Sequence, residues 1–227
     1  MVVPAVDAAS WTRIRDLCAA RPRTLFPAYG LHPLYLRQHT PGDVDALLSW
    51  CGANPCIAIG EIGLDFHRGD LDPASQRDYF TRQLALAREL ALPVIVHARQ
   101  ALEEVILTLR RHPGVRGVVH SFSGSEEQAR RLWQLGFLIG IGGPVTYARA
   151  QRLRRIVAGM PIEYLLLESD APDQPDANHR GQRNEPAYVA EVLRCVAALR
   201  DEAEHDVADA TAANARRLFR LPEPGPA

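Results

Sequence analysis

The sequence predicts an α/β fold built on a parallel sheet, a TIM-like (β/α)8 barrel in which seven strands are expected. Two observations carry the fold. Seven short apolar runs recur along the 227 residues, most of them near-continuously apolar as strands covered on both faces must be. The stretches between them carry helical periodicity, so the chain reads as repeated βαβ and a parallel sheet. A third observation locates chemistry on that fold. Five runs carry a ligand-type side chain at or just past their C-terminal ends: Tyr29-Gly30-Leu31-His32, Ile57-Ala58-Ile59-Gly60-Glu61, Val94-Ile95-Val96-His97, Gly117-Val118-Val119-His120 and Leu165-Leu166-Leu167-Glu168-Ser169-Asp170. In a parallel barrel such ends meet on one face, where the βα loops build the active site.

Taken in order, strands are expected near 2–6, 25–31, 56–61, 93–97, 117–121, 137–141 and 164–168. Helices are expected near 8–20, 43–52, 74–91, 100–111, 126–135, 149–158, 186–200 and 203–218. Ser125-Glu126-Glu127-Gln128 has capping-box spacing. Pro93, Pro113 and Pro161 stand just before a strand or after a helix, where a missing N–H does least harm. Asn184-Glu185-Pro186 reads as a helix start capped by Asn184. One domain is expected over 1–221, followed by a flexible tail at 222–227. A closed barrel uses eight strands and seven are found, with Met1 opening directly into the first. The count suggests either a distorted barrel or a chain that lacks its first unit.

Composition narrows the chemistry. The formal net charge of −1 gives no sign of a strongly basic nucleic-acid module, although local binding stays open. All 26 basic residues are Arg. Without lysine there can be no Schiff base and no carbamylated-lysine metal bridge, so a group bridging two metals should be a carboxylate. Cys18, Cys51, Cys56 and Cys195 show no CxxC spacing and read as reduced thiols. No signal peptide is seen and no run approaches a membrane span, so a cytoplasmic protein is expected.

Two carboxylates and two or three imidazoles at strand ends suggest a divalent-metal site. Glu61, flanked by Gly60 and Ile62-Gly63, is a carboxylate at the end of an apolar strand and needs a metal or an ion pair to be tolerated there. His97 and His120 end neighbouring strands; either could be a hydrogen-bonded core residue, and together beside Glu61 they read as ligands. Asp170 is placed to hold a metal or to accept a proton from the attacking water. Glu168 lies deeper and is suited to orienting a ligand, and Asp65 to capping the loop after its strand. Arg99 shares strand parity with His97 and could clamp an anionic oxygen or form a salt bridge. His32 has two equal readings, function or loop anchoring. His67, His179, Arg180 and Arg183 could meet an anionic substrate, with solvated surface the safer reading, and His39, His112 and His205 are read as surface.

The ordered set Gly30-Leu31-His32-Pro33, Gly60-Glu61-Ile62-Gly63-Leu64-Asp65, Pro93-Val94-Ile95-Val96-His97-Ala98-Arg99, His120-Ser121-Phe122-Ser123-Gly124, Leu167-Glu168-Ser169-Asp170-Ala171-Pro172 and Arg183-Asn184-Glu185-Pro186 resembles the TatD family of metal-dependent hydrolases, the TatD-like deoxyribonucleases. The resemblance implies a (β/α)8 barrel of the metal-dependent hydrolase type and up to two divalent ions (Zn, Mn or Mg). It also implies hydrolysis of DNA phosphodiesters. Glu61 would bridge the metals, His97 and His120 would complete one site, and Asp170 would belong to the other and handle the water. Arg99 and His32 would hold phosphate oxygens. DNA or another phosphodiester is the expected substrate, with no membrane association and no stable protein partner.

The family's first strand carries a His-x-His pair, and this sequence contains none. Weak metal retention and weak nuclease activity are therefore expected of this chain, with both restored by upstream residues supplying that pair. Two other readings stay open: an amidohydrolase or lactonase acting on a small substrate, and a non-catalytic truncated barrel.

Overall fold

The fold was obtained as a computed structural model, which describes residues 1–223; residues 224–227 of the expected tail lie outside the described residues. Two compact units are present, Met1–Gly117 with the chain's end from Leu218, and Val118–Arg217.

The first unit follows the expected alternation. It contains β1 (Val2–Pro4), α1 (Trp11–Ala19), β2 (Phe26–Tyr29), α2 (Asp43–Ala53), β3 (Ala58–Asp65), α3 (Pro73–Glu89), β4 (Val94–Arg99) and α4 (Leu102–Arg110). Its strands run in sequence order and pair in parallel, Val2 with Phe26, Ala28 with Ala58 and Ile59 with Val94. Ala28, Ile59, Ile62, Leu64, Leu84 and Val94 are fully buried, as two-face coverage of a parallel sheet requires.

The second unit takes up the series with β5 (Gly117–Val119), whose first residue closes the first unit. It continues through α5 (Glu126–Gln134), β6 (Phe137–Ile141), α6 (Gln151–Gly159), β7 (Leu165–Leu167), α7 (Val189–Arg200) and most of α8 (Glu204–Phe219). β6 and β7 pair in parallel, Ile139 with Leu165. Among the described residues the strands number seven.

Local chemistry explains the element ends. Ser125 and Gln128 form the capping box at α5. Asp72 accepts the Ala74 and Ser75 amides, and Pro73 opens α3 with its fixed φ. The largest departure from expectation is β3, which runs four residues past Glu61. Between Ile59 and Ile62 two residues of β3, Gly60 and Glu61, stand against one of β4, Ile95, after which Ile62 pairs with Val96 and Asp65 with Arg99. The strand had been expected to end at Glu61, and it continues past this bulge instead.

Asn184 does not cap the segment from Pro186; Glu185 holds that position. The Asn184 side chain is buried, accepts the Glu185 amide at 2.8 Å and donates to the carbonyls of Ser169 and Asp173, so it closes the loop after β7. Three histidines expected on the surface are half-buried. His39 Nε2 lies 2.9 Å from the His32 carbonyl, His112 Nδ1 lies 2.9 Å from the Thr108 carbonyl, and His179 sits 2.7 Å from the buried Asp176 carboxylate, stacked on Tyr188. Each hydrogen-bond partner lies within seven residues along the chain. No helix among the described residues is long and apolar enough to cross a membrane.

Tyr29, at the end of β2, is fully buried, and burial pushes its phenol up to about 12. A folded pKa above the unfolded value gives stability that is intact below about pH 10 and is lost as pH rises toward about 12, by about 2–3 kcal/mol. Urea unfolding of the wild type should show this alkaline loss, and Tyr29→Phe should lack that part of it.

Candidate metal centre

The first unit gathers its site residues around the bulge in β3. Glu61 Oε1 lies 2.8 Å from His32 Nε2 and 3.1 Å from His97 Nδ1. On its other side His97 Nε2 lies 2.9 Å from Oδ2 of Asp65, a carboxylate with no solvent exposure. Burial presses the Asp65 carboxyl upward, but the hydrogen bond and charge of His97, the His67 amide and Arg99 outweigh it and hold its pKa below the ordinary carboxylate value. Asp65 thus caps the following loop through the His67 amide, as the sequence suggested, and also grips His97.

Two donors of this cluster, Glu61 and His97, fit a divalent cation. Ligand atoms of His32, Glu61 and His97 all lie within 4.8 Å of one another. With its Nε2–H given to a buried carboxylate, His97 turns Nδ1 toward Glu61, and that is the nitrogen a cation beside Glu61 would take, held in place by the Asp65 contact. His32 is different. The Leu34 amide donates to its Nδ1 at 3.1 Å, so the neutral ring carries its proton on Nε2, facing Glu61. A protonated nitrogen offers a hydrogen bond and cannot ligate. Glu61 and His97 therefore suit a metal, while His32 suits an anionic oxygen.

Close backbone approach makes this cluster possible. A Cβ on Gly30 would lie 2.7 Å from the Gly60 carbonyl carbon. One on Gly63, whose φ is +140°, would lie 2.0 Å from the His97 carbonyl oxygen. Glycine alone lets β3 come this near to β2 and β4. Arg99, at the end of β4, is exposed.

The second unit holds its own cluster. His120 Nδ1 lies 3.7 Å from Glu168 Oε1 and 3.8 Å from Asp170 Oδ1. Glu168 Oε1 accepts the Ser121 amide at 2.6 Å and packs over Gly140, where a Cβ would meet its other carboxylate oxygen at 2.1 Å. Gln174 Nε2 donates to Asp170 Oδ2 at 2.5 Å and to Ser121 Oγ at 2.6 Å. Glu168 thereby holds the backbone of Ser121, the residue next to His120. Asp170 and Ser121 both have positive φ, 56° and 48°, a conformation that Asp tolerates better than most residues.

Sequence reasoning did not single out Gln174, Gln76 or Gln83. Gln76 and Gln83 left one readable trace: they lie seven apart in α3 and flank Phe80 on its apolar stripe. Arg180 and Arg183 remain exposed, as expected.

The profile of the family described as TatD related DNase matches residues 1–220. The chain belongs to the TatD family. Within the family's curated members it is similar to the uncharacterized metal-dependent hydrolase YjjV of Escherichia coli (strain K12), 40% identical over 225 residues covering 98% of this chain and 86% of that one. It is also similar to the 3'-5' ssDNA/RNA exonuclease TatD of Erwinia tasmaniensis, 35% identical over 229 residues covering 97% and 88% of the two chains. The crystal structure of the YjjV TatD homologue from Escherichia coli superposes with a TM-score of 0.93 at 38% identity, covering 97% of this chain and 86% of that chain. The barrel-type fold expected from the apolar pattern is therefore the TatD fold, here with seven parallel strands.

Since Gly63 combines a positive φ with contact against the His97 backbone, Gly63→Ala should lower stability by about 2–4 kcal/mol in urea unfolding. The same change at Gly69, which has open space around it, should have little effect.

Proposed function

We propose that this chain is a divalent-metal-dependent hydrolase that cleaves phosphodiester bonds of DNA or a related nucleic acid. The observation that carries the reading is His97 held between Glu61 and the buried Asp65, with its ligating nitrogen turned toward Glu61. Glu61 and His97 of the first unit, and His120 and Asp170 of the second, are assigned as metal ligands, each pair taken within its own unit. Divalent ions there would lower the pKa of a water and neutralise charge on the phosphoryl oxygens.

The side chains divide the remaining work. Asp170, held by Gln174, accepts the proton of the attacking water as a general base. His32 Nε2–H, which lies 2.8 Å from Glu61 Oε1, would turn to a non-bridging phosphate oxygen when a cation takes up Glu61, its Leu34 contact keeping the proton on that nitrogen. Arg99 offers its guanidinium to a second such oxygen. Phosphodiester chemistry is favoured over a small uncharged substrate because these donors are suited to anionic oxygens. The relative named a 3'-5' ssDNA/RNA exonuclease supports the same choice.

The test is hydrolysis of a labelled single-stranded oligonucleotide by chelator-stripped protein with Mn2+, Zn2+ or Mg2+ added back, beside lactone and amide substrates. Cleavage should depend on added metal, and Asp170→Asn should reduce kcat by about 10²–10⁴-fold. Metal-dependent turnover of a lactone or amide without oligonucleotide cleavage would overturn the phosphodiester assignment.

A further inference from the structure

A buried primary amide is tolerated only when its donors and acceptor are paired, and α3 carries two such amides on its inner face. Gln76 is 1% exposed and Gln83 fully buried. Each makes a two-point clasp on the backbone of a single residue. Gln83 Oε1 accepts the Leu31 amide at 2.8 Å, and its Nε2 donates to the Leu31 carbonyl at 3.2 Å. Gln76 Oε1 accepts the Asp65 amide at 2.8 Å, and its Nε2 donates to the Asp65 carbonyl at 2.9 Å. Both side chains imitate the edge of a neighbouring strand.

The residues clasped are not arbitrary. Leu31 immediately precedes His32, and Asp65 is the carboxylate that grips His97. Leu31 lies two residues beyond the end of β2 and Asp65 is the last residue of β3, where strand pairing gives out and a polar backbone needs other partners. Seven residues of helix separate the two glutamines along the axis by about 10 Å, a spacing the α-helix holds rigidly.

We propose that Gln76 and Gln83 are positioning residues of the metal centre, and that α3 serves as a ruler setting His32 and the Asp65–His97 pair against Glu61. The inference rests on the metal-centre reading above. It divides the labour: Gln76 acts through Asp65 and His97 on metal affinity, and Gln83 acts through His32 on the anionic substrate.

Calorimetric titration of the chelator-stripped chain with Mn2+ alone tests the first half. Loss of a group that orients a ligand typically weakens metal binding about 10–100-fold, so Gln76→Met and Asp65→Asn should each raise the Mn2+ Kd by at least about tenfold. Because both act on the same imidazole, the double variant should be no weaker than about twofold beyond the worse single variant. For Gln83→Met the KM for an oligonucleotide should rise about tenfold with the Mn2+ Kd within about threefold of wild type, and adding Gln83→Met to His32→Ala should change KM little further. A purely structural role for the glutamines would lower the thermal midpoint and leave these couplings absent. Circular dichroism at the titration temperature confirms folding; a Met variant that does not fold is replaced by Gln76→Asn or Gln83→Asn, which keep an uncharged amide but shorten its reach to the clasped backbone.

The outcomes separate. Wild type that binds no Mn2+ overturns the metal-centre reading and the inference with it. Wild-type binding that Glu61→Gln abolishes, together with wild-type Kd in Gln76→Met or simple additivity with Asp65→Asn, overturns the inference alone.

Discussion

The first unit's site is organised by one desolvated carboxylate. Asp65 has no exposure to water, and a lone ionised carboxylate in that position would be prohibitively unfavourable. His97 Nε2–H and the His67 amide satisfy it, and committing Nε2 in this way leaves His97 Nδ1 facing Glu61. Everything else nearby is arranged so that this contact can form. The bulge at Gly60 and Glu61 sets Glu61 against the ring, and Gly63 lets β3 lie against the His97 carbonyl.

Elsewhere the structure stores irregular backbone where chemistry is expected. Asp170 and Ser121 are held at positive φ in the second unit. Such conformations cost about 1–3 kcal/mol each and persist only where the surroundings determine them. Gln174 bonds to both side chains, Glu168 takes the Ser121 amide, and the buried Asn184 closes the loop from Ser169 to Asp173. Amide side chains recur as these supports because one amide can donate and accept at once, replacing the strand neighbour that a loop lacks.

Much of the fold was legible in the residues. Apolar runs covered on both faces located all seven strands, since burial of a parallel sheet leaves no polar alternation to confuse the reading. Helices with strong punctuation, such as α5 with its capping box and α3 with Asp72 and Pro73, lie within two residues of their expected bounds. The extension of β3 was hidden because glycine reads locally as a strand breaker, while its use here depends on a neighbouring strand. Asn184 was misread for a related reason: a cap and a loop clamp have the same short-range pattern, and only the position of Ser169 and Asp173 distinguishes them.

The site divides along the same line. Residue types, their order and their placement at strand ends are properties of the chain alone, so Glu61, His97, His120 and Asp170 could be named as candidates and the family resemblance drawn before any coordinate was known. Which nitrogen of His97 or His32 carries the proton is set by the Asp65 carboxylate and the Leu34 amide, and the His97 contact joins residues on separate strands. The roles of Gln76 and Gln83 are set the same way, by the backbone each one meets. Hydrogen bonds depend on angstrom-scale distances between parts of the chain far apart in sequence, and those distances exist only once the strands and α3 have packed.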